Sequence, residues 1–219
     1  MLNTFIYLFT IFGIWTLKFI LPRIIRRLRG NKLPKGAITV IGKDPINNKQ
    51  VPGSRLSQIA VSLGIGIQYL MLLSFVFNLI FGFREYNLFF ILELPIEVYW
   101  IGIIGMWLLG VWVSITFIYN VNYTACFKQM NEGEYALATG GPYKYVRHPA
   151  YIAGVFELIF IFLGTGIWFM FFGLIGFLAL PHQAKGEEKM LQERFGEVYD
   201  EYASKTGRFF PKIRRINKK

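Results

Sequence analysis

Residues 151–180, YIAGVFELIFIFLGTGIWFMFFGLIGFLAL, decide the fold. As one unbroken helix these thirty residues would rise about 45 Å, too long for one crossing of a ~30 Å hydrocarbon core and too short for two. Gly164-Thr165-Gly166 is a natural break at the middle, and a break there predicts two short helices in a hairpin that returns the chain to the face it left. Charge favours the same solution. Nine Lys and Arg lie in residues 23–56 and ten follow Pro181, and a single crossing would put these two groups on opposite sides of the bilayer, against the positive-inside tendency.

Three further apolar runs precede the hairpin. Residues 3–21 have spanning length, with Lys18 near the end, where its side chain can snorkel to the headgroups, and Pro22 with Arg23, Arg26, Arg27 and Arg29 is expected to close the span. The positive charges follow the apolar run and no small-residue cleavage site is present, so a retained anchor is favoured over a signal peptide. A polar connection rich in Gly, Pro, Asn and Lys follows over 30–56. The second span covers 57–81, with Gly64 and Gly66 expected at a close helix contact and Gln68 in an interhelical hydrogen bond. The third covers 98–119, flanked by Trp100 and Tyr119 and preceded by Arg84, Glu85, Glu93 and Glu97. After the hairpin, Leu191, Phe195, Val198 and Tyr202 predict one amphipathic helix over 183–204, stopped by Gly207 and Pro211.

The expected fold is therefore an all-α integral membrane protein of about five transmembrane helices, with its N-terminus outside and an amphipathic helix at the cytoplasmic C-terminus. Composition agrees: of 219 residues 54% are apolar and 17% charged, yet the net charge is +11. That basic excess adjoins apolar segments, which points to anionic lipid and not to nucleic acid. A single cysteine, Cys126, excludes an intramolecular disulfide, and with His148 and His182 besides, a structural zinc site is not expected. Two regions are anticipated, 1–136 holding helices one to three and 137–219 holding the chemistry.

The chemistry-bearing residues fall into two segments that the hairpin brings together. One is Gly140-Gly141-Pro142-Tyr143-Lys144-Tyr145-Val146-Arg147-His148-Pro149-Ala150-Tyr151, ahead of the fourth helix; the other is Gly186-Glu187-Glu188, after the fifth. Glycines ahead of a helix allow close backbone approach to a ligand, Pro149 suits a first helical turn, and the free N–H groups of that turn favour anions. Taken singly, Gly-Gly-Pro is a turn, His148 an interfacial group and Glu187-Glu188 a solvated face; their combination carries the argument.

That combination resembles the isoprenylcysteine carboxyl methyltransferase family and its prokaryotic membrane relatives. The shared residues are Gly141, Tyr143, Arg147, His148, Pro149 and Tyr151, then Glu187 and Glu188, then Phe195, Gly196, Tyr199 and Tyr202, ending in Lys205-Thr206-Gly207-Arg208-Phe209-Phe210-Pro211. The resemblance covers 137–211. It implies S-adenosylmethionine as cofactor, held by Leu137, Gly141, Tyr143, His148, Pro149, Tyr151, Glu187 and Glu188 at the cytoplasmic membrane face of a bacterial inner membrane or the endoplasmic reticulum, and a lipophilic methyl acceptor arriving from the bilayer. Arg147 and Glu188 are candidate catalytic residues; Arg147 suits the cofactor's or an acceptor's carboxylate, or pairs with an acidic residue of the tail. No metal is needed for in-line methyl transfer, which rests on alignment and exclusion of water.

Glu157 is the third catalytic candidate. It lies two turns inside the fourth helix, where an ionisable group costs about 2.5–3.5 kcal/mol unless it faces a cavity or partner. It is expected to line the acceptor tunnel and recognise a polar or cationic head, or alternatively to make a structural bond to Gln68, Lys18 or a backbone carbonyl. The competing classes are a sterol-type membrane reductase using NADPH and a non-catalytic lipid-binding protein.

Overall fold

The computed structural model describes residues 2–30, 32–41, 55–82, 91–120 and 134–212. Cys126, Arg84, Glu85, most of the 30–56 connection and the basic residues after Lys212 lie outside the described residues. Three helices are long and apolar enough to cross a membrane: α1 (Thr4–Arg29), α2 (Arg55–Phe81) and α3 (Ile96–Tyr119). A shorter apolar helix, α4 (Pro149–Thr165), is the outgoing arm of the expected hairpin. The chain is thus a mostly helical membrane protein.

The first span runs further than the sequence suggested. Pro22 does not end α1, because the segment Thr16–Ile20 is a π-turn in which the Leu21 N–H bonds back to the Thr16 carbonyl. The widened turn makes room for a proline that has no N–H to donate. Beyond it the basic residues grip the neighbouring span: Arg26 Nε donates to the Phe117 carbonyl at 3.1 Å and Arg29 to that of Ile118 at 3.1 Å. These are last-turn carbonyls of α3, where cations are favoured by the helix dipole. The ends of α1 and α3 therefore lie on one face of the membrane. Lys18 departs from expectation in another way. It is 6% exposed and forms an ion pair with Glu157 instead of reaching the headgroups.

The hairpin turns where the glycines predicted. Gly166 takes a left-handed conformation (φ 78°) and caps α4, and the Thr165 hydroxyl bonds to the Ile161 carbonyl at 2.6 Å. The 17 residues of α4 rise about 26 Å, close to the hydrocarbon thickness. The return arm is not one helix but a 3₁₀ turn (Phe169–Phe172) followed by α5 (Gly173–Phe177).

Glycines set the closest approaches in the bundle. A β-carbon on Gly102 would lie 2.0 Å from the Gly164 nitrogen, joining α3 to α4, and one on Gly64 would lie 2.7 Å from the Gly173 carbonyl oxygen, joining α2 to α5. Gly66 differs from its expected role, since nothing lies within 4 Å of its would-be β-carbon. Around these contacts Tyr7, Phe75, Ile103, Met106, Leu158, Ile161, Met170 and Phe177 form the membrane core.

Two features were not foreseen. β1 (Ala37–Ile41) pairs antiparallel with β2 (Glu134–Ala138), so a small sheet joins the two loops that precede α2 and α4. The tail is two helices, α6 (Leu180–Phe195) and α7 (Glu197–Lys205), broken at Gly196 (φ 53°). Pro181 begins α6 as an N-terminal helical residue, so this helix starts before position 183. The break changes the phase of the apolar stripe: Tyr199 is buried where Val198 had been expected, and Leu137, Phe195, Tyr199 and Tyr202 make a second core beneath the sheet.

Substitution Gly102→Leu should separate α3 from α4 and cost at least 1–3 kcal/mol in folding, seen as a lower Tm or loss of monodisperse protein in detergent. Gly66→Ala, on an open face, should leave the Tm within about 1 °C of the parent.

Candidate active site

The two predicted segments meet at the loop-side end of α4. Proline at the first position of α4 directs the chain from the 3₁₀ turn Gly141–Lys144 into the helix and leaves His148 as its N-cap. The hairpin and α6 then bring Glu187 and Glu188 to the same place. Glu188 is the hub: Arg147 Nε donates to its Oε1 at 2.9 Å, Arg208 donates to both of its oxygens at 3.0 and 2.5 Å, and His148 Nε2 lies 3.2 Å away. Glu187 takes the other side of His148, with Nδ1 3.3 Å from its Oε2, and accepts a hydrogen bond from the Tyr151 hydroxyl. The His148 ring stacks on Tyr151 at 5.2 Å and meets Phe209 at 5.8 Å.

These contacts fasten the tail over the loop. The Arg147 N–H donates to the Gly207 carbonyl at 2.8 Å and that of His148 to the Arg208 carbonyl at 3.0 Å. The Arg147 guanidinium also donates to the carbonyls of Ala203 (3.1 Å) and Thr206 (2.5 Å), and the Tyr202 hydroxyl to that of Tyr143 (2.7 Å). Arg147 thus takes the tail-pairing option among those its sequence left open. Arg208 was not singled out from the sequence as a site residue; its place beside Glu188 depends on the turn at Gly207, whose would-be β-carbon lies 1.6 Å from the Phe210 carbonyl oxygen.

Several candidates have structural partners. The Tyr143 phenol is buried and accepts a hydrogen bond from Asn120 at the end of α3, at 2.9 Å. The close approach permitted by Gly140 is to the Lys35 carbonyl oxygen, 2.1 Å from a would-be β-carbon, and that permitted by Gly141 is to the Tyr119 ring, at 2.6 Å. Leu137 has its side chain in the tail core. Tyr199 stands apart: its hydroxyl is buried with no hydrogen-bond partner among the described residues. Glu157 lies away from this cluster, deeper along α4, paired with Lys18.

The charges reinforce one another. Burial disfavours the Glu188 carboxylate, but the bonds from His148, Arg208 and Arg147 prevail and hold its pKa well below the usual carboxylate range. Burial likewise disfavours a charged His148, and bonds to Glu187 and Glu188 outweigh it, raising its pKa above 6.5. A histidine with a raised folded-state pKa contributes its full stabilisation below the unfolded value and loses it as pH rises through the folded value.

Two measurements follow. Glu188→Gln leaves two guanidiniums without their carboxylate and should cost about 3–5 kcal/mol, read as a lower Tm in detergent. The Tm difference between parent and His148→Gln should be greatest below about pH 6.5 and should shrink as pH rises beyond it.

Comparison with known proteins gives one family. Residues 98–198, from α3 into α7, match the family described as phospholipid methyltransferase. No curated protein matches the chain. The matched segment contains nearly all of α3, the whole hairpin and both members of the Glu187-Glu188 pair. By this match residues 98–198 resemble a family of membrane methyltransferases related to the isoprenylcysteine carboxyl methyltransferases.

Proposed function

We propose that the protein is an S-adenosylmethionine-dependent methyltransferase that modifies a lipophilic acceptor at the cytoplasmic face of its membrane. The observation that carries the reading is the cluster of Glu187, Tyr151, His148 and Arg208 beside an apolar cavity, within a methyltransferase family domain. The cavity, about 430 Å³, reaches Ala150 and Tyr151 and runs between α1, α2 and α4.

The donor set fits the cofactor. S-adenosylmethionine presents a carboxylate, an amine and a sulfonium, and when bound supplies a methyl group on positively charged sulfur. Glu187 keeps 27% of its side chain exposed and Arg208 39%, so one carboxylate and one guanidinium of the same cluster are accessible for these charges. The aromatic faces of Tyr151 and His148 suit a sulfonium. Leu137, Gly141, Tyr143 and Pro149 support this site by shaping the loop beneath it.

Within this reading Arg147 and Glu188 are positioning residues, holding Arg208 and the tail over the site. Tyr151 lines the cavity along which an acceptor would arrive, and Glu187 accepts the hydrogen bond of its hydroxyl. An amine or thiol acceptor must release a proton, and the Tyr151 hydroxyl bonded to Glu187 offers a path to a carboxylate; a carboxylate acceptor needs none. The basic residues of the loops and tail support the cytoplasmic assignment of this face.

Calorimetry on detergent-purified protein should show binding of S-adenosylmethionine and S-adenosylhomocysteine but not NADPH. Labelled methyl groups should pass to a membrane lipid extract. Glu187→Gln should weaken cofactor binding at least tenfold, about 1.4 kcal/mol. Preference for NADPH would overturn the reading in favour of a reductase.

A further inference from the structure

Glu157 and Lys18 form an ion pair inside the bundle, with 17% and 7% of their side chains exposed, and the hub around Glu188 does not use them. They stand where two cavities meet. One, of about 430 Å³, extends from the pair to Tyr151; the other, of about 250 Å³, extends the opposite way among Ile11, Leu72, Val76 and Met106. Lys18 and Glu157 line both. Gln68 joins them on the wall of the larger cavity. Gln68 is 3% exposed and its side chain makes no hydrogen bond among the described residues, so the interhelical bond expected of it is absent among them.

An amide buried in a membrane protein without a partner costs several kcal/mol unless something in the cavity bonds to it. The chemistry of that something is constrained by charge. Lys18 and Glu157 form an ion pair whose charges cancel, and Gln68 is neutral, so the cluster has no net charge to offset an ion carried into low dielectric. It does offer both donors and acceptors. A hydroxyl, amide or ester would satisfy Gln68 at no cost in net charge, whereas an ammonium or carboxylate would not. The wall on the far side is apolar, as an alkyl chain requires.

We propose that Gln68, Lys18 and Glu157 form a polar subsite that selects an amphiphile bearing an uncharged hydrogen-bonding group, with its apolar chain in the cavity beyond. Glu157 lies six residues from Tyr151 on α4, about 9 Å along the helix. Resting on the methyltransferase reading, this assigns the acceptor a neutral polar group about 9 Å from the atom that is methylated. Glu157 and Lys18 then serve specificity, not transfer.

The test uses matched eighteen-carbon probes on the full-length protein in detergent: oleamide, oleyl alcohol, octadecene, oleylamine and oleate, each measured by calorimetry and Tm shift. Oleamide and oleyl alcohol should bind at least tenfold more tightly than the other three. Gln68→Leu, which leaves the ion pair intact, should abolish that preference while octadecene binding persists. The double variant Lys18→Met with Glu157→Leu, which leaves no unpaired charge, should do the same. Equal affinity across the series, tighter binding of either ionic probe, or an unchanged preference in Gln68→Leu would overturn the proposal. S-adenosylmethionine binding, measured in parallel, separates the two readings: selectivity among the probes without cofactor binding would refute the methyltransferase reading alone, and cofactor binding without selectivity would refute the subsite alone.

Discussion

A single carboxylate organises the loop-side half of this protein. Glu188 draws Arg147 from the segment before α4 and Arg208 from the segment after α7, and His148 lies against the same oxygen. These groups come from three segments far apart in the chain, Arg147-His148, Glu188 and Arg208, and each would be costly to bury alone. Their meeting fixes the return of the tail, which in turn places Tyr199 and Tyr202 over Leu137 and the small sheet. The hub is therefore a device for folding as much as for chemistry. Glu187, one residue earlier, meets His148 and Tyr151 and keeps an accessible edge.

The membrane half depends on a different rule. Lipid offers helices little hydrophobic reason to associate, so close approach of backbones must supply it. The glycines at 64, 102, 164, 173 and 176 do so, and the hairpin uses three of them. The arginines at the end of α1 add a directional constraint by occupying carbonyls at the end of α3, so two spans far apart in sequence are held side by side.

Much of this was legible in the residues. Hydropathy marks the three spans because each is a long run of one character, and Gly164-Thr165-Gly166 marks the turn because a left-handed cap there calls for glycine. The Arg-His-Pro and Glu-Glu segments could be paired once the hairpin was recognised. Other features had no local signal. The strand Ala37–Ile41 acquires its character only from a partner nearly one hundred residues away. Position near a span's end suggests a snorkelling Lys18, while the residues alone leave Glu157 a choice among Gln68, Lys18 and a backbone carbonyl; the packing of α1 on α4 selects Lys18. Gly196 was read as part of one helix, although its positive φ divides the tail and exchanges Val198 for Tyr199 at the buried face.

The π-turn in α1 has a consequence for angular register. One residue beyond the normal turn rotates everything after it by about 100° relative to everything before it. Lys18 lies within the turn and faces Glu157, while Arg26 and Arg29 lie after it and face α3. An uninterrupted α-helix of the same sequence could not keep both alignments. The irregular turn is thus a phase adjuster that lets one helix serve a polar appointment inside the bilayer and another at its surface. Accordingly, the shape of the cavity and the seating of the basic anchor are set by the same five residues.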